Sequence, residues 1–173
     1  MIAGLTQATA GSAAAEMAES RIDAAARPGE SRSLRIVIGE NNADLALTLG
    51  LLLNAEPDML CVATGATAGA VLSAVDEHLP NAFILDLSLD DGPSLPLISK
   101  LRERLPVAVI VVFTGHSNTL LKEHCLHAGA DAVVVKSGEF EELTNTLRQA
   151  ARAAAARGAA GQSAIGGRLS ADG

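Results

Sequence analysis

The stretch AFILDLSLDDG, Ala82–Gly92, sets four apolar residues in a row and then stops on an acid, Asp86. A half-exposed strand alternates apolar and polar residues, whereas an unbroken apolar run fits a strand covered on both faces. VAVIVVF, Val107–Phe113, has the same character. Outward from these, short β-branched runs fall at Arg35–Ile38, Met59–Ala63 and Ala132–Val135. Helix-like stretches fill the gaps at about 43–54, 66–78, 94–104, 118–128 and 139–155. Gly65 precedes the second helix and Pro80 follows it; Gly92-Pro93 opens the third, Pro106 comes after it, and Gly129 closes the fourth as a C-cap. Five strands alternating with five helices predict an α/β fold, a doubly wound five-stranded parallel sheet built from right-handed βαβ units.

The composition narrows the function. Hydrophobic residues make up 49% of the 173-residue chain but aromatic ones only 2%, so Val, Leu, Ile and Ala must fill the core. A net charge of -7 with no long basic run argues against a direct nucleic-acid surface. No apolar run is long enough for membrane insertion, and the N-terminus lacks a secretory pattern. Cys61 and Cys125 lack a CxxC spacing and read as reduced, buried thiols, which fits a cytoplasmic protein. Residues 1–33 read as a flexible tail, in which SAAAEMAESRIDAAARPGE forms at most a transient helix. Residues 156–173, rich in Gly, Ala and Ser, read as a second flexible tail. The folded unit is therefore expected at 34–155.

Functional groups in such sheets gather where the strands end. Glu40 and Asn41 follow the first strand, Asp86 the third, Thr114 and Gly115 the fourth, and Lys136 the fifth. Thr64 and Gly65 follow the second and carry no assigned role. Two carboxylates and an amide oxygen suit a hard divalent ion such as Mg²⁺. A phosphoryl group on Asp86 would meet that ion, the Lys136 ammonium and the Thr114 hydroxyl. Taken singly, the same residues also fit a structural ion pair between Asp86 and Lys136.

Together these segments resemble the response-regulator receiver domain, the aspartate-phosphorylated half of two-component signalling. The resemblance covers residues 34–155. FILDLSLDDG is similar to the phospho-acceptor strand and its loop, VVFTGHS to the segment with the switch Thr or Ser, and AGADAVVVKS to the segment with the lysine. NAEPDM resembles the turn before the second strand in the branch that usually carries a C-terminal helix-turn-helix output domain. The resemblance implies the sheet order 2-1-3-4-5 of such proteins. It makes Asp86 the phospho-acceptor, with Glu40 and Asn41 at the two positions of the acidic pair. The backbone carbonyl of Ser88 would be a further Mg²⁺ ligand, and Thr114 and Lys136 would bind the phosphoryl group. A histidine kinase or histidine phosphotransfer protein would supply that group. Enzyme activity would go no further than self-catalysed phosphoryl transfer and dephosphorylation. No helix-turn-helix follows the last helix, so a single-domain regulator is expected, acting on a downstream protein target by docking.

The chain departs from the family at several points. Asn41 stands where a second acid is usual, so Mg²⁺ binding is expected to be weak and phosphorylation slow or absent. The alternative is an atypical receiver that regulates a partner by binding without phosphorylation. Val133 holds the aromatic switch position, and valine cannot report a switch by ring rotation. Ser137 replaces a common proline, so a cis peptide after Lys136 is not expected. Asp90-Asp91 replaces a loop that often contains proline and reads as a solvated turn. On a helical wheel Leu45, Leu49 and Leu52 share one face of the first helix, while Leu47 and Leu51 point away as a candidate docking face for the kinase. The alternative cover for those leucines is the chain's own N-terminal tail. Ala150–Ala156 would offer a smooth helix face to a partner or a second copy in a homodimer. His124 and His127 with Cys125 read as exposed histidines rather than a zinc set, and His78 and His116 as surface residues. A flavodoxin-like enzyme is disfavoured, because no Gly-rich cofactor loop follows the first strand.

Overall fold

The computed structural model describes residues 33–115 and 118–166, with side chains through residue 159. They belong to one compact unit beginning at Ser33. The expected N-terminal tail (Ser33 apart), residues 167–173 and His116 lie outside the described residues.

The parallel strands are β1 Leu34–Gly39, β2 Met59–Gly65, β3 Ala82–Leu85, β4 Val109–Thr114 and β5 Ala132–Val135, in the order β2-β1-β3-β4-β5. Between and after them run α1 Ala43–Ala55, α2 Ala68–His78, α3 Leu95–Arg104, α4 Thr119–Ala128 and α5 Phe140–Gly166. Two-residue strands, Ser88–Leu89 and Gly92–Pro93, pair antiparallel between β3 and α3. This is the doubly wound α/β fold that the sequence predicts. The three inner strands β1, β3 and β4 are almost wholly buried, whereas the edge strands β2 and β5 are mixed. The unbroken apolar runs of β3 and β4 fall on inner strands, covered on both faces, whereas that of edge strand β5 is only partly buried.

Each face has its own core. Ile36, Ile38, Ile84 and Val111 meet Leu49 and Leu53 of α1 and Leu143 and Leu147 of α5. Val37, Phe83, Leu85 and Ile110 meet Val71 of α2, Ile98 and Leu101 of α3 and Cys125 of α4. Both cysteines are free thiols; Cys125 is buried and Cys61 partly so, and burial raises the pKa of each. His124 and His127 are exposed on either side of buried Cys125, so the three do not converge. His78 is half-exposed beside Glu77.

Two expectations need correction. Leu52 does not share the buried face of α1; it is 41% exposed, whereas Leu49 is buried as expected, together with Ala46, Gly50 and Leu53. Gly50 faces Cys61 of β2, and a Cβ there would lie 3.5 Å from the sulfur, an ordinary contact. Leu47 and Leu51 do point outward, as expected. Secondly, α5 does not end at 155 but continues to Gly166. Alanine is the best helix former, and each of Gly158 and Gly161 costs only about 1 kcal/mol in a helix that is otherwise fastened. The fastening is visible: Ala154 is buried and Arg157 donates to Asp131 at 2.9 Å.

One loop residue is strained. Leu79 caps α2 at φ 48 and ψ 55, a left-handed conformation that crowds a Cβ, yet its side chain is 77% exposed. Leu79→Asn is expected to raise stability by about 0.5–1 kcal/mol, because Asn tolerates this conformation and little packing is lost. A urea midpoint that falls instead would mean that the leucine makes stabilising contacts.

Candidate functional site

At the carboxyl edge of the sheet the backbone ladder continues one residue beyond the strands. Glu40 N–H donates to Gly65 O at 3.0 Å, Asp86 N–H to Gly39 O at 2.7 Å, and Lys136 N–H to Thr114 O at 2.8 Å. These bonds fix the starting points of three charged side chains at the ends of β1, β3 and β5. Gly39 completes the packing beneath them, since a Cβ there would come within 2.8 Å of Leu85 and 3.2 Å of Val71.

The side chains meet. Lys136 Nζ lies 2.6 Å from Glu40 Oε2 and 3.0 Å from Asp86 Oδ2. Glu40 is only 4% exposed, and its other oxygen accepts from Asn42 N–H at 2.9 Å. Asp86 Oδ1 accepts from Leu87 N–H at 2.7 Å. Burial alone would lower the Lys136 pKa, but the bonds to Glu40 and then Asp86 outweigh it and hold the ammonium above its ordinary value. Of the two ion pairs, the one to Glu40 is shorter and has the less exposed carboxylate.

Thr114 is buried beside this cluster, at the end of β4. Val133 is half-buried in β5, paired in register with Val112 and packed against the core beneath α2, α3 and α4. Ser88 is exposed in the short ladder after β3, opposite Pro93. Asn41 is exposed at the mouth of the site. Asn42, given no role from sequence, accepts from Leu45 N–H and so caps α1. An Asn directly before an apolar-periodic segment is the usual sign of such a cap. No cis peptide occurs among the described residues.

Beside the site a groove of about 360 Å³ runs between α1 and β2, from Glu40 and Asn41 past Leu47 and Leu51 towards Asn54. Thr64 also lines it. Leu47 and Leu51 are 63% and 65% exposed, so the face singled out in the sequence borders the charged cluster.

The donors suit a hard cation in kind but are poor in charge. Among the described residues no group of three or more His, Cys, Asp or Glu is placed to hold a metal. Asp86 and Glu40 would need the neutral oxygens of Asn41 and the Ser88 backbone to complete an oxygen set. With Lys136 counted, the cluster carries one net negative charge. The residues present would therefore hold Mg²⁺ through Asp86, Glu40, Asn41 and Ser88, with reduced electrostatic attraction.

No helix among the described residues is long and apolar enough to cross a membrane. Residues 36–148 match the family model for the response regulator receiver domain. The oxygen regulatory protein NreC of Staphylococcus haemolyticus is 33% identical over 116 residues, which is 66% of this chain and 54% of that protein. The chain thus spans about half the length of the curated relatives it matches. Among solved structures, a LuxR-family two-component response regulator from an Aurantimonas species superposes with a TM-score of 0.66 at 23% identity, covering 70% of this chain and 86% of the other. A CheY-like receiver domain from Methanospirillum hungatei gives 0.65 at 22% identity, covering 73% and 99%. The structural likenesses carry the fold, and the sequence match carries the family: this chain belongs to the response regulator receiver domains of two-component signalling.

Proposed function

We propose that the chain accepts a phosphoryl group on Asp86 from a phosphohistidine of a histidine kinase or phosphotransfer protein, and signals by docking to a downstream protein. The observation that carries this is the convergence of Asp86, Glu40 and Lys136 at one sheet edge, next to buried Thr114. Receiver domains as a family typically bind Mg²⁺ at the phosphorylated aspartate and interact with such kinases. In the transfer, a carboxylate oxygen of Asp86 attacks phosphorus, the P–N bond to the donor imidazole breaks, and the imidazole leaves with its electron pair and takes a proton from water. The product is an acyl phosphate. Mg²⁺, when bound, neutralises charge on the phosphoryl oxygens. Lys136 supplies the chain's own cation, and Thr114 a hydroxyl that orients one oxygen. Leu47 and Leu51, on the groove that starts at Asn41, offer the donor an apolar face within reach of the site. The setting is cytoplasmic.

A second reading has its own support. Lys136 already joins Glu40 and Asp86 into a cluster with a single net negative charge, Asn41 adds no charge, and Val133 replaces an aromatic ring. A domain so balanced is suited to binding a partner in one state, without phosphorylation.

Incubation with a small-molecule phosphodonor and Mg²⁺ distinguishes the two. The phosphorylation reading expects an acid-stable, hydroxylamine-labile adduct that Asp86→Asn abolishes. If neither small donors nor purified phosphohistidine proteins give an adduct, the second reading holds.

A further inference from the structure

The loop that follows Asp86 is tied to a different helix from the one it leads into. Asp91 Oδ1 accepts from Ala68 N–H at 2.9 Å and Oδ2 from Gly69 N–H at 3.4 Å. These are the first two amides of α2, and Thr67 caps the third, on Ala70, at 3.1 Å. Helix N-termini leave such amides without intrahelical partners, and a carboxylate there is favoured by both hydrogen bonding and the helix dipole. The bond from Ala68, more than that from Gly69, holds the Asp91 carboxyl below its ordinary pKa. Beside it, Asp90 N–H donates to Ala66 O at 2.9 Å. The turn at Asp90-Asp91 is solvated, as expected, and it also fastens two loops together.

The loop itself is short. Ser94 N–H closes it on Leu87 O at 2.9 Å, Gly92 turns at φ 127, and Leu89 is buried beneath it. The Ser94 hydroxyl is buried with no hydrogen-bond partner, so it does not help hold the loop. Among the described residues, Leu87 and Leu89 attach the loop to the core by packing, and Asp91 ties its far end to α2. Ser88 lies on the arm between Asp86 and that attachment.

We infer that Asp91 is a positioning residue: by capping α2 from the opposite loop, it holds the Ser88 carbonyl in place for the cation at Asp86. The inference rests on the phosphoryl-acceptor reading for its metal, but its first test needs none. Asp91→Ala in the full chain is expected to shift the amide NMR signals of Ser88 and Leu89 as well as those of Ala68 and Gly69, and to speed hydrogen exchange at Leu89. Changes confined to α2 would overturn it. The second test is calorimetric titration with Mg²⁺ alone. Asp91→Ala should weaken binding by about tenfold, the scale seen for groups that orient a metal ligand. Asp91→Asn keeps an acceptor oxygen and should recover most of that loss. A Kd equal to wild type in Asp91→Ala, with or without a lower Tm, would also overturn the inference. Absence of Mg²⁺ binding in the wild type would sink the metal role itself while leaving the amide result to decide whether Asp91 positions the loop.

Discussion

Asn41→Asp is expected to tighten Mg²⁺ binding by about ten- to a hundredfold. The position is exposed at the mouth of the site, so a second carboxylate can be added without burying it. At about 4 Å, a divalent cation and one extra negative charge gain roughly 2 kcal/mol even at the dielectric constant of water, which is about thirtyfold in Kd. A lower local dielectric would raise the figure, and the cost of desolvating the new carboxylate would reduce it. Lys136 makes the outcome more telling. In the native cluster, Glu40 is engaged on both oxygens, by Lys136 and by Asn42 N–H. A cation approaching Glu40 must compete with an ammonium 2.6 Å away, whereas a carboxylate at 41 would be free of that competition. Titration at two ionic strengths provides the check, because an electrostatic gain at an exposed position shrinks with salt. If Asn41→Asp leaves the Kd unchanged, position 41 does not face the cation, and the second residue of the acidic pair has been misplaced.

The parts of this molecule that were legible in the sequence are those with a period or an edge. Apolar runs placed the bounds of β3 and β5 at Ala82–Leu85 and Ala132–Val135, as observed. The strand-end rule brought Glu40, Asp86 and Lys136 to one edge although Glu40 and Lys136 are 96 residues apart, and they do meet there. It did not show that one lysine would serve both acids, because that depends on side-chain reach. Helix α2 begins two residues later than the expected 66, because Thr67 is a cap with extended backbone. The wheel of α1 placed Leu49 inward and Leu47 and Leu51 outward, as observed, and erred at Leu52 because it weighed only large side chains. The helix rests on Ala46 and Gly50 as well as on Leu49 and Leu53, and such small residues add little hydrophobic signal. Asp91 on α2 and Asp131 on Arg102 were invisible for another reason. Bonds between a side chain and a distant backbone have no periodicity, and nothing in the sequence marks their partners.

Asp131 and Arg102 lead to the largest expected loss of stability. Arg102, on α3, makes five hydrogen bonds: two to Gly129 O, one each to Pro106 O and Ala108 O, and one to Asp131 Oδ2. Its side chain is 23% exposed and that of Asp131 11%. Asp131 Oδ2 also accepts from Ile110 N–H at 2.8 Å, so the pair joins α3, the α4–β5 turn and β4. The packing is close enough that a Cβ on Gly129, already at φ 111, would come within 2.9 Å of Arg102. Arg102→Met keeps much of the aliphatic stem but leaves three carbonyls and a carboxylate short of donors. Breaking a buried charge pair costs about 3–5 kcal/mol, and partial exposure here places the expectation near 3 kcal/mol. For a domain of this size that corresponds to a Tm lower by roughly 10 °C. Arg157, which also reaches Asp131, is 43% exposed and is a weak substitute. The double variant Arg102→Met with Asp131→Asn should recover about 1 kcal/mol, because the amide oxygen still serves Ile110 N–H while the unpaired charge is gone. Should Arg102→Met alone cost less than about 1 kcal/mol, water must replace the guanidinium without penalty, and the lower edge of the sheet would then be held by its apolar contacts rather than by this hub.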